Sequence, residues 1–168
     1  MADFDWQNLG FGYHEADFNL RTYFRDGAWT TPELTSDTSV TMSIAATCLH
    51  YGQECFEGLK AFRGKDGKIR IFRIDENAKR LQTSASYLQM QAPSVEHFIN
   101  CVDMVVKANE RFLPPYGTGA SLYIRPVLLG TGAQVGVNPA KEYLMIIFVT
   151  PVGPYYKGGV TPIKVIID

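Results

Sequence analysis

The sequence predicts an α+β domain: a mainly antiparallel sheet built from hairpins, with two principal helices packed on one face. Three observations carry that prediction. Two short apolar runs, Leu59–Arg63 (LKAFR) and Lys68–Arg73 (KIRIFR), flank Gly64-Lys65-Asp66-Gly67, and Asp-Gly between such runs marks a hairpin. Apolar residues then recur twice at helical spacing, over 75–88 and again over 94–111. Ser121 to Leu128 and Tyr143 to Val149 read as strands, the second nearly all apolar, as a strand buried on both faces would be.

Taken in order, residues 1–16 are irregular, with Gly10 and Gly12 flanking Phe11. Phe18 to Arg25 reads as a strand, and Asp26-Gly27 as a turn into Ala28-Trp29-Thr30. Pro32 and the polar cluster up to Ser39 form a loop. Val40, Met42 and Ile44 alternate with Thr41, Ser43 and Ala45, which predicts a further strand. In the central hairpin Ile69, Ile71 and the aliphatic part of Arg73 share a face, and Phe72 points the other way. Asp75, Glu76 and Asn77 supply acceptors for the start of the first helix, whose stripe is Ile74, Ala78, Leu81, Ala85 and Leu88. Arg80 stands beside that stripe, on a rigid platform from which it can reach the edge of a cleft.

Ser94 suits the N-cap of the second helix. Val95, Phe98, Ile99, Val102, Val105, Val106 and Phe112 form its stripe, with Cys101, Asp103, Lys107 and Glu110 off it, and Pro114-Pro115 ends it. Tyr123 and Arg125, two apart in a strand, share one face. Thr131 to Lys141 reads as a long loop. Gly130-Thr131-Gly132 is not a dinucleotide loop, because Val135 stands where a third glycine is needed and no helical pattern follows. Pro151 to Gly159 is a Gly/Pro-rich connection, Gly158-Gly159 marks a linker, and the chain runs on into an apolar strand at 161–167.

Composition narrows the function. At 168 residues the chain is one domain, or one domain plus the edge of another. A net charge of −1 without any basic run points away from nucleic acid. The longest apolar run, Tyr143 to Val149, is far too short to span a bilayer, and MADFDWQ has no signal-peptide pattern. Three cysteines, Cys48, Cys55 and Cys101, have no metal-ligand spacing and fit reduced thiols in a cytosolic protein. His14, His50 and His97 are scattered, and no Ser–His–Asp or His–Cys arrangement can be read from them.

Read singly, Arg80 is a surface arginine, and Tyr123 and Arg125 are as readily an exposed edge pair as a binding pair. The longer string says more. His50 to Arg63 reads H-Y-G-x-x-x-F-E-G-L-K-A-F-R, and after the hairpin Phe72 to Arg80 reads F-R-x-x-x-N-x-x-R. This combination resembles the N-terminal half of the branched-chain amino-acid aminotransferases, pyridoxal-phosphate enzymes of fold type IV (the D-amino-acid-aminotransferase-like fold). The resemblance runs from about Phe11 to the last residue.

The resemblance implies roles residue by residue. Arg80 would hold the phosphate of pyridoxal 5'-phosphate, a task that suits a planar, permanently charged guanidinium. Phe11 would be a substrate-facing wall. L-Y-x-R-P would place Tyr123 and Arg125 at a pocket that takes an aliphatic side chain in one half-reaction and the side-chain carboxylate of glutamate in the other. G-V-x-P would set Val137, and with it Tyr51, against the active site of a partner subunit. P-V-G-x-Y would bring Tyr155 close to substrate. The implied activity moves an amino group between leucine, isoleucine or valine and 2-oxoglutarate, in a cytoplasmic homodimer or higher homo-oligomer without metal, nucleic acid or membrane.

The reaction also needs a Schiff-base lysine. Lys60 matches a different lysine of the family pattern, no other lysine has the expected asparagine-tyrosine pair after it, and the acidic partner of the pyridine nitrogen is missing. The expectation is therefore a small domain at 1–157, a linker and the first strand of an absent large domain at 158–168, and no turnover by the segment alone. Two other readings remain. One is a D-amino-acid transaminase or lyase of the same fold, disfavoured by L-Y-x-R-P and G-V-x-P. The other is a non-catalytic dimerising module, disfavoured by an apolar strand at 161–167 that has no sheet to join.

Overall fold

Two long strands set the frame. In the computed structural model, which describes residues 2, 4–154, 162 and 164–166, β7 (Ser121–Gly130) and β8 (Tyr143–Val152) pair antiparallel from Ser121 opposite Val152 to Gly130 opposite Tyr143. Around them lie β1 (Asn19–Arg25), β2 (Ala28–Trp29), β3 (Glu33–Thr35), β4 (Glu54–Phe56), β5 (Leu59–Arg63) and β6 (Ile69–Ile71). The order is β2-β1-β8-β7-β5-β6, with β3 on β1 and β4 on β7, and every pairing is antiparallel. The helices are α1 (Thr47–Tyr51), α2 (Ile74–Tyr87) and α3 (Val95–Ala108), the last followed by a 3₁₀ turn at Glu110–Phe112. This is the α+β architecture expected. Among the described residues no helix is long and apolar enough to cross a membrane.

Strand periodicity divides the sheet into two faces with different tasks. Leu59 and Ala61 of β5, Leu122, Ile124 and Leu128 of β7, Met145, Ile147 and Val149 of β8 and Leu20 of β1 are buried in one core. Ala78, Leu81 and Ala85 of α2 and Phe98, Val102, Val105 and Val106 of α3 close that core. The intervening residues (Lys60, Tyr123, Arg125, Val127, Ile146 and Phe148) take the opposite face, aligned across the ladder as Lys60 with Tyr123 and Arg125 with Phe148.

Capping and turns follow the chemistry of the residues. The Ser94 side chain accepts from the amide of His97. At the far end of α3, Asn109 is fully buried and exchanges two hydrogen bonds with the backbone of Phe18, its Oδ1 accepting at 3.1 Å and its Nδ2 donating at 2.9 Å. That pair fastens the helix to the start of β1.

Several expectations need correction. Val40 to Ala45 is not a strand. Ser43 Oγ accepts from the Ala45 amide at 3.1 Å and closes a local turn, so the serine defeats the alternation, and Ile44 is 90% exposed. Cys101 is not off the α3 stripe but fully buried on it, three residues after Phe98. The α2 stripe stops at Ala85. Leu88 is the C-cap and partly exposed, because the chain turns away at Gln89 with φ 53. The start of α2 has no side-chain cap, since Arg73 itself takes the left-handed conformation there and Asn77 is engaged elsewhere. Pro151 and Val152 extend β8 instead of opening the connection. The short α1 was not foreseen. The boundary at Gly158-Gly159 lies outside the described residues, and of the strand expected at 161–167 the described residues, 162 and 164–166, are not in a strand, with Val165 and Ile166 exposed.

The N-terminal segment lies over the ends of β7 and β8. Gly153 donates its amide to Gly10 O at 2.9 Å, and the His14 amide donates to Thr150 Oγ1 at 2.8 Å. A Cβ on Gly153 would sit 1.8 Å from Leu9 O, a contact with backbone that no rotamer can relieve. Gly153→Ala should therefore release residues 8–14, seen as faster chymotryptic cleavage at Phe11 and Tyr13 than in the unsubstituted chain. Unchanged cleavage would show that the close approach does not hold the segment.

Candidate functional site

The geometry begins with a missing amide. Pro126 cannot donate to the ladder, and opposite it the strand edge breaks into β4 and β5, leaving Glu57-Gly58 between them. The Glu57 amide still donates to Pro126 O at 2.9 Å. The two residues then serve opposite faces. Cys55, Glu57, Leu59 and Ala61 are spaced for the helix-covered face, so a carboxylate falls on the apolar side. Gly58 falls on the other face, where an added Cβ would lie 2.6 Å from Tyr123 Oη.

Glu57 is 3% exposed and is met by donors from two side chains of α2. Arg80 Nε donates to Oε1 at 2.7 Å and Arg80 Nη2 to Oε2 at 2.7 Å, a two-point contact. Asn77 Nδ2 adds a bond to Oε2 at 2.8 Å. Burial raises the pKa of Glu57, but hydrogen bonds from Arg80 and Asn77 and the charge of Arg80 outweigh it and hold the carboxyl below its ordinary value. The Arg80 side chain itself is 66% exposed. Its Nε/Nη2 edge is committed to Glu57, which leaves the Nη1 edge of the same planar group for an anion. Arg80 borders a groove of about 550 Å³ with Phe72, Arg73, Asn77, Lys79 and Thr83.

On the opposite face, Phe11 and Arg125 both lie against Tyr123. The Phe11 and Tyr123 rings meet edge to face at 5.5 Å, and Arg125 Nε donates to Tyr123 Oη at 3.0 Å. The Arg125 guanidinium also lies 4.4 Å from the Phe56 ring centre, and Lys60 Nζ 5.8 Å from that of Phe11. Aromatic walls with a fixed cation between them can take an apolar side chain or a carboxylate. Tyr51 and Val137 form a third group. Tyr51 Oη donates to Val135 O, and both Tyr51 and Val137 line a groove of about 320 Å³. Tyr155 lies outside the described residues.

The structure thus does not bring all these residues into one cavity. It joins the first two groups back to back through Glu57-Gly58 and sets the third apart. Phe56 and Glu57 were missed as site residues although both stand in the quoted motif. The signal for Glu57 was there: a carboxylate in register with Cys55, Leu59 and Ala61 must find a cation.

The three cysteines are free, and burial pushes Cys55 up to about 11 and Cys101 up to about 12. No cluster of potential metal ligands occurs among the described residues.

The depressed pKa of Glu57 has a checkable sign. Its ionised form contributes stability above the unfolded-state pKa, and that contribution is lost as pH falls through the lower folded-state value. Glu57→Gln should lower unfolding stability by about 1–3 kcal/mol at pH 7. The gap between variant and unsubstituted chain should close on acidification below about pH 4, measured by urea unfolding. A gap that widens in acid would contradict an ionised Glu57.

No protein-family model matches the chain. Curated relatives do. The branched-chain-amino-acid aminotransferase of Helicobacter pylori is 49% identical over 160 residues, covering 95% of this chain and 47% of that protein. Its namesake in Haemophilus influenzae is 47% identical over 162 residues, covering 96% and 47%. Among solved structures, the Escherichia coli branched-chain amino acid aminotransferase superposes with a TM-score of 0.62 at 25% identity, over 83% of this chain and 41% of that one. The branched-chain aminotransferase of the thermophilic archaeon Thermoproteus uzoniensis, solved with norvaline, gives 0.61 at 26% identity over 81% and 42%. By sequence and fold the chain is similar, over nearly its whole length, to branched-chain-amino-acid aminotransferases. It matches their N-terminal part and spans about half the length of the curated relatives it matches.

Proposed function

We propose that this chain is the N-terminal part of a pyridoxal-phosphate enzyme that moves an amino group between leucine, isoleucine or valine and 2-oxoglutarate. The observation that supports it most is the pairing of two differently equipped surfaces through Glu57-Gly58. One is a braced arginine with an unused donor edge, the other an aromatic pocket wall with a fixed cation.

The cofactor test rests on donor chemistry. A phosphate needs charged, correctly aimed N–H groups, and Arg80 supplies them from a position held by two bonds to Glu57. Arg73 and Lys79 border the same groove, both ion-paired with Glu76 on its wall, so the charge offered to a phosphate comes mainly from Arg80. These residues fit the phosphate of pyridoxal 5'-phosphate. When bound, the cofactor supplies an electron sink for amino-group transfer. The chain's own residues bind and orient the substrate. Phe11, Phe56 and the Tyr123 ring wall off an aliphatic side chain from water. With Arg125 Nε donating to its oxygen, Tyr123 keeps its own proton to offer, together with the Arg125 guanidinium, to the carboxylate of glutamate. Tyr155, by its place in the P-V-G-x-Y string, joins that pocket in this reading.

A homodimer and a cytoplasmic location belong to the same proposal. Tyr51 and Val137 share one groove wall, as residues offered together to a neighbouring subunit would. Three free cysteines accord with a reducing compartment. The domain division at 157/158 is likewise proposed, from the Gly158-Gly159 pair.

Two measurements test this reading. In the complete enzyme, meaning this segment joined to a C-terminal half of the kind its relatives carry, Arg80→Ala should weaken pyridoxal 5'-phosphate binding by about 1.5–3 kcal/mol, read by spectral titration. Unchanged affinity would remove Arg80 from the phosphate site. The 168-residue chain alone, mixed with pyridoxal 5'-phosphate, leucine and 2-oxoglutarate, should yield no keto acid. Turnover by the isolated chain would show that one of its own lysines carries the cofactor.

A further inference from the structure

Gln53 is a buried amide whose two ends are spent on distant parts of the chain. It follows α1 closely and is 8% exposed. Its Nε2 donates to Leu88 O, the C-cap of α2, at 2.9 Å. Its Oε1 accepts from the Ala140 amide at 3.0 Å, and its backbone carbonyl accepts from the Gly130 amide at 2.9 Å. A single residue therefore spans from the helix that carries Arg80 to both roots of the loop that carries Val137. The site is shaped for it. A Cβ on Gly130 would stand 2.8 Å from Gln53 Oε1 and 2.3 Å from Thr47 Oγ1.

The loop between β7 and β8 has other ties, and three of them run to the same short region. Gln134 donates its amide to Ala45 O at 3.1 Å, Ala133 bridges Ala46, and Tyr51 Oη donates to Val135 O. Beyond these points Val135 and Val137 stand out, 85% and 82% exposed. Gln53 reaches past α1 to α2, where Leu88 and Gln89 line the same groove as Tyr51 and Val137, and Tyr143 Oη stands beside it, donating to Ala140 O at 2.6 Å and lying 3.4 Å from Gln89 O.

We propose that Gln53 is a positioning residue: it fixes the valine-bearing loop against the end of α2, and so sets how Val137 is presented to a substrate side chain in the neighbouring subunit. The substrate-side role rests on the reading given under Proposed function. The bracing role rests on the geometry alone. Removing the amide leaves a buried amide N–H at Ala140 and a carbonyl at Leu88 without their partner, so the loop is loosened at the end of α2 while its ties to 45–51 and the β7–β8 core remain.

The test uses Gln53→Leu and the conservative Gln53→Glu in the complete enzyme. Glu keeps the acceptor for Ala140 and loses the donor to Leu88. Hydrogen exchange over 131–141 should quicken by about fivefold or more in Gln53→Leu, with strand amides of β7 and β8 unchanged. KM for leucine should rise by about threefold or more while the pyridoxal 5'-phosphate dissociation constant stays fixed. Gln53→Glu should fall between, and it carries the test if Gln53→Leu does not fold. Unchanged exchange over 131–141 overturns the bracing role. Quickened exchange with an unchanged KM overturns the substrate-side role. Val137→Ala in the same enzyme separates the two layers. If it leaves KM unchanged, the assignment of Val137 under Proposed function is what fails; if it raises KM and Gln53→Leu does not, the fault lies with Gln53.

Discussion

The ladder between β7 and β8 is the constraint on which the rest depends. Ten residues of each strand are locked in one register, so the positions of Tyr123 and Arg125 face away from the helices. A slip of one residue would send Tyr123 and Arg125 into the core and Ile124 to the surface. The register is protected by the apolar residues it buries: Ile124 and Leu128 against Met145 and Val149, with Phe98 and Val102 of α3 beneath. The face that carries Tyr123 and Arg125 therefore inherits its precision from the core on the other side of the same strand.

Against that rigid ladder, Pro126 introduces one gap. The break opposite it lets two neighbouring residues do unlike things. Glu57 goes to the helix side, where it would be costly to bury without a partner, and α2 meets it with Arg80 and Asn77. Gly58 leaves room for the tyrosine ring on the far side. The ion pair is not a general stabiliser, since such a pair is often no better than an apolar contact of the same volume. Its consequence is orientation. A guanidinium fixed along one edge presents the other edge in a known direction, while an unbraced arginine on the same helix would sample several rotamers.

Much of this was legible in the sequence, and the gaps have physical causes. The hairpins at Asp26-Gly27 and Asp66-Gly67 were readable because those turns need residues that tolerate positive φ, and Asp26, Gly27 and Gly67 have it. The helices were readable from their stripes, and Ser94 from its capping chemistry. Val40 to Ala45 misled because alternation records only what a strand requires, while Ser43 offered the backbone a local partner. Cys101 misled because a thiol was counted with the polar residues, although it packs as a small apolar group. Of the candidate site, Phe11, Tyr123 and Arg125 came from the family pattern, and Phe11 and Arg125 were each found against Tyr123. Glu57 and Gln53 were harder. Each bonds to residues far off in sequence, 23 and 87 positions away at Arg80 and Ala140, and no local pattern announces such a contact.

That difference separates two kinds of residue in this fold. Arg80, Tyr123 and Arg125 offer part of their donors outward, and in the proposed reading a family pattern singles them out because their chemistry is directed at something beyond the chain. Glu57 and Gln53 direct theirs inward and spend it on other parts of the same molecule. The outward group can be exact only if the inward group is satisfied, since a half-paired buried carboxylate or amide would relax by moving the element that carries it. Glu57 holds the helix face that bears Arg80, and Gln53 holds the end of that helix to the loop of Val137. The functional surface of this domain is thus a property of its buried polar contacts as much as of the side chains it displays.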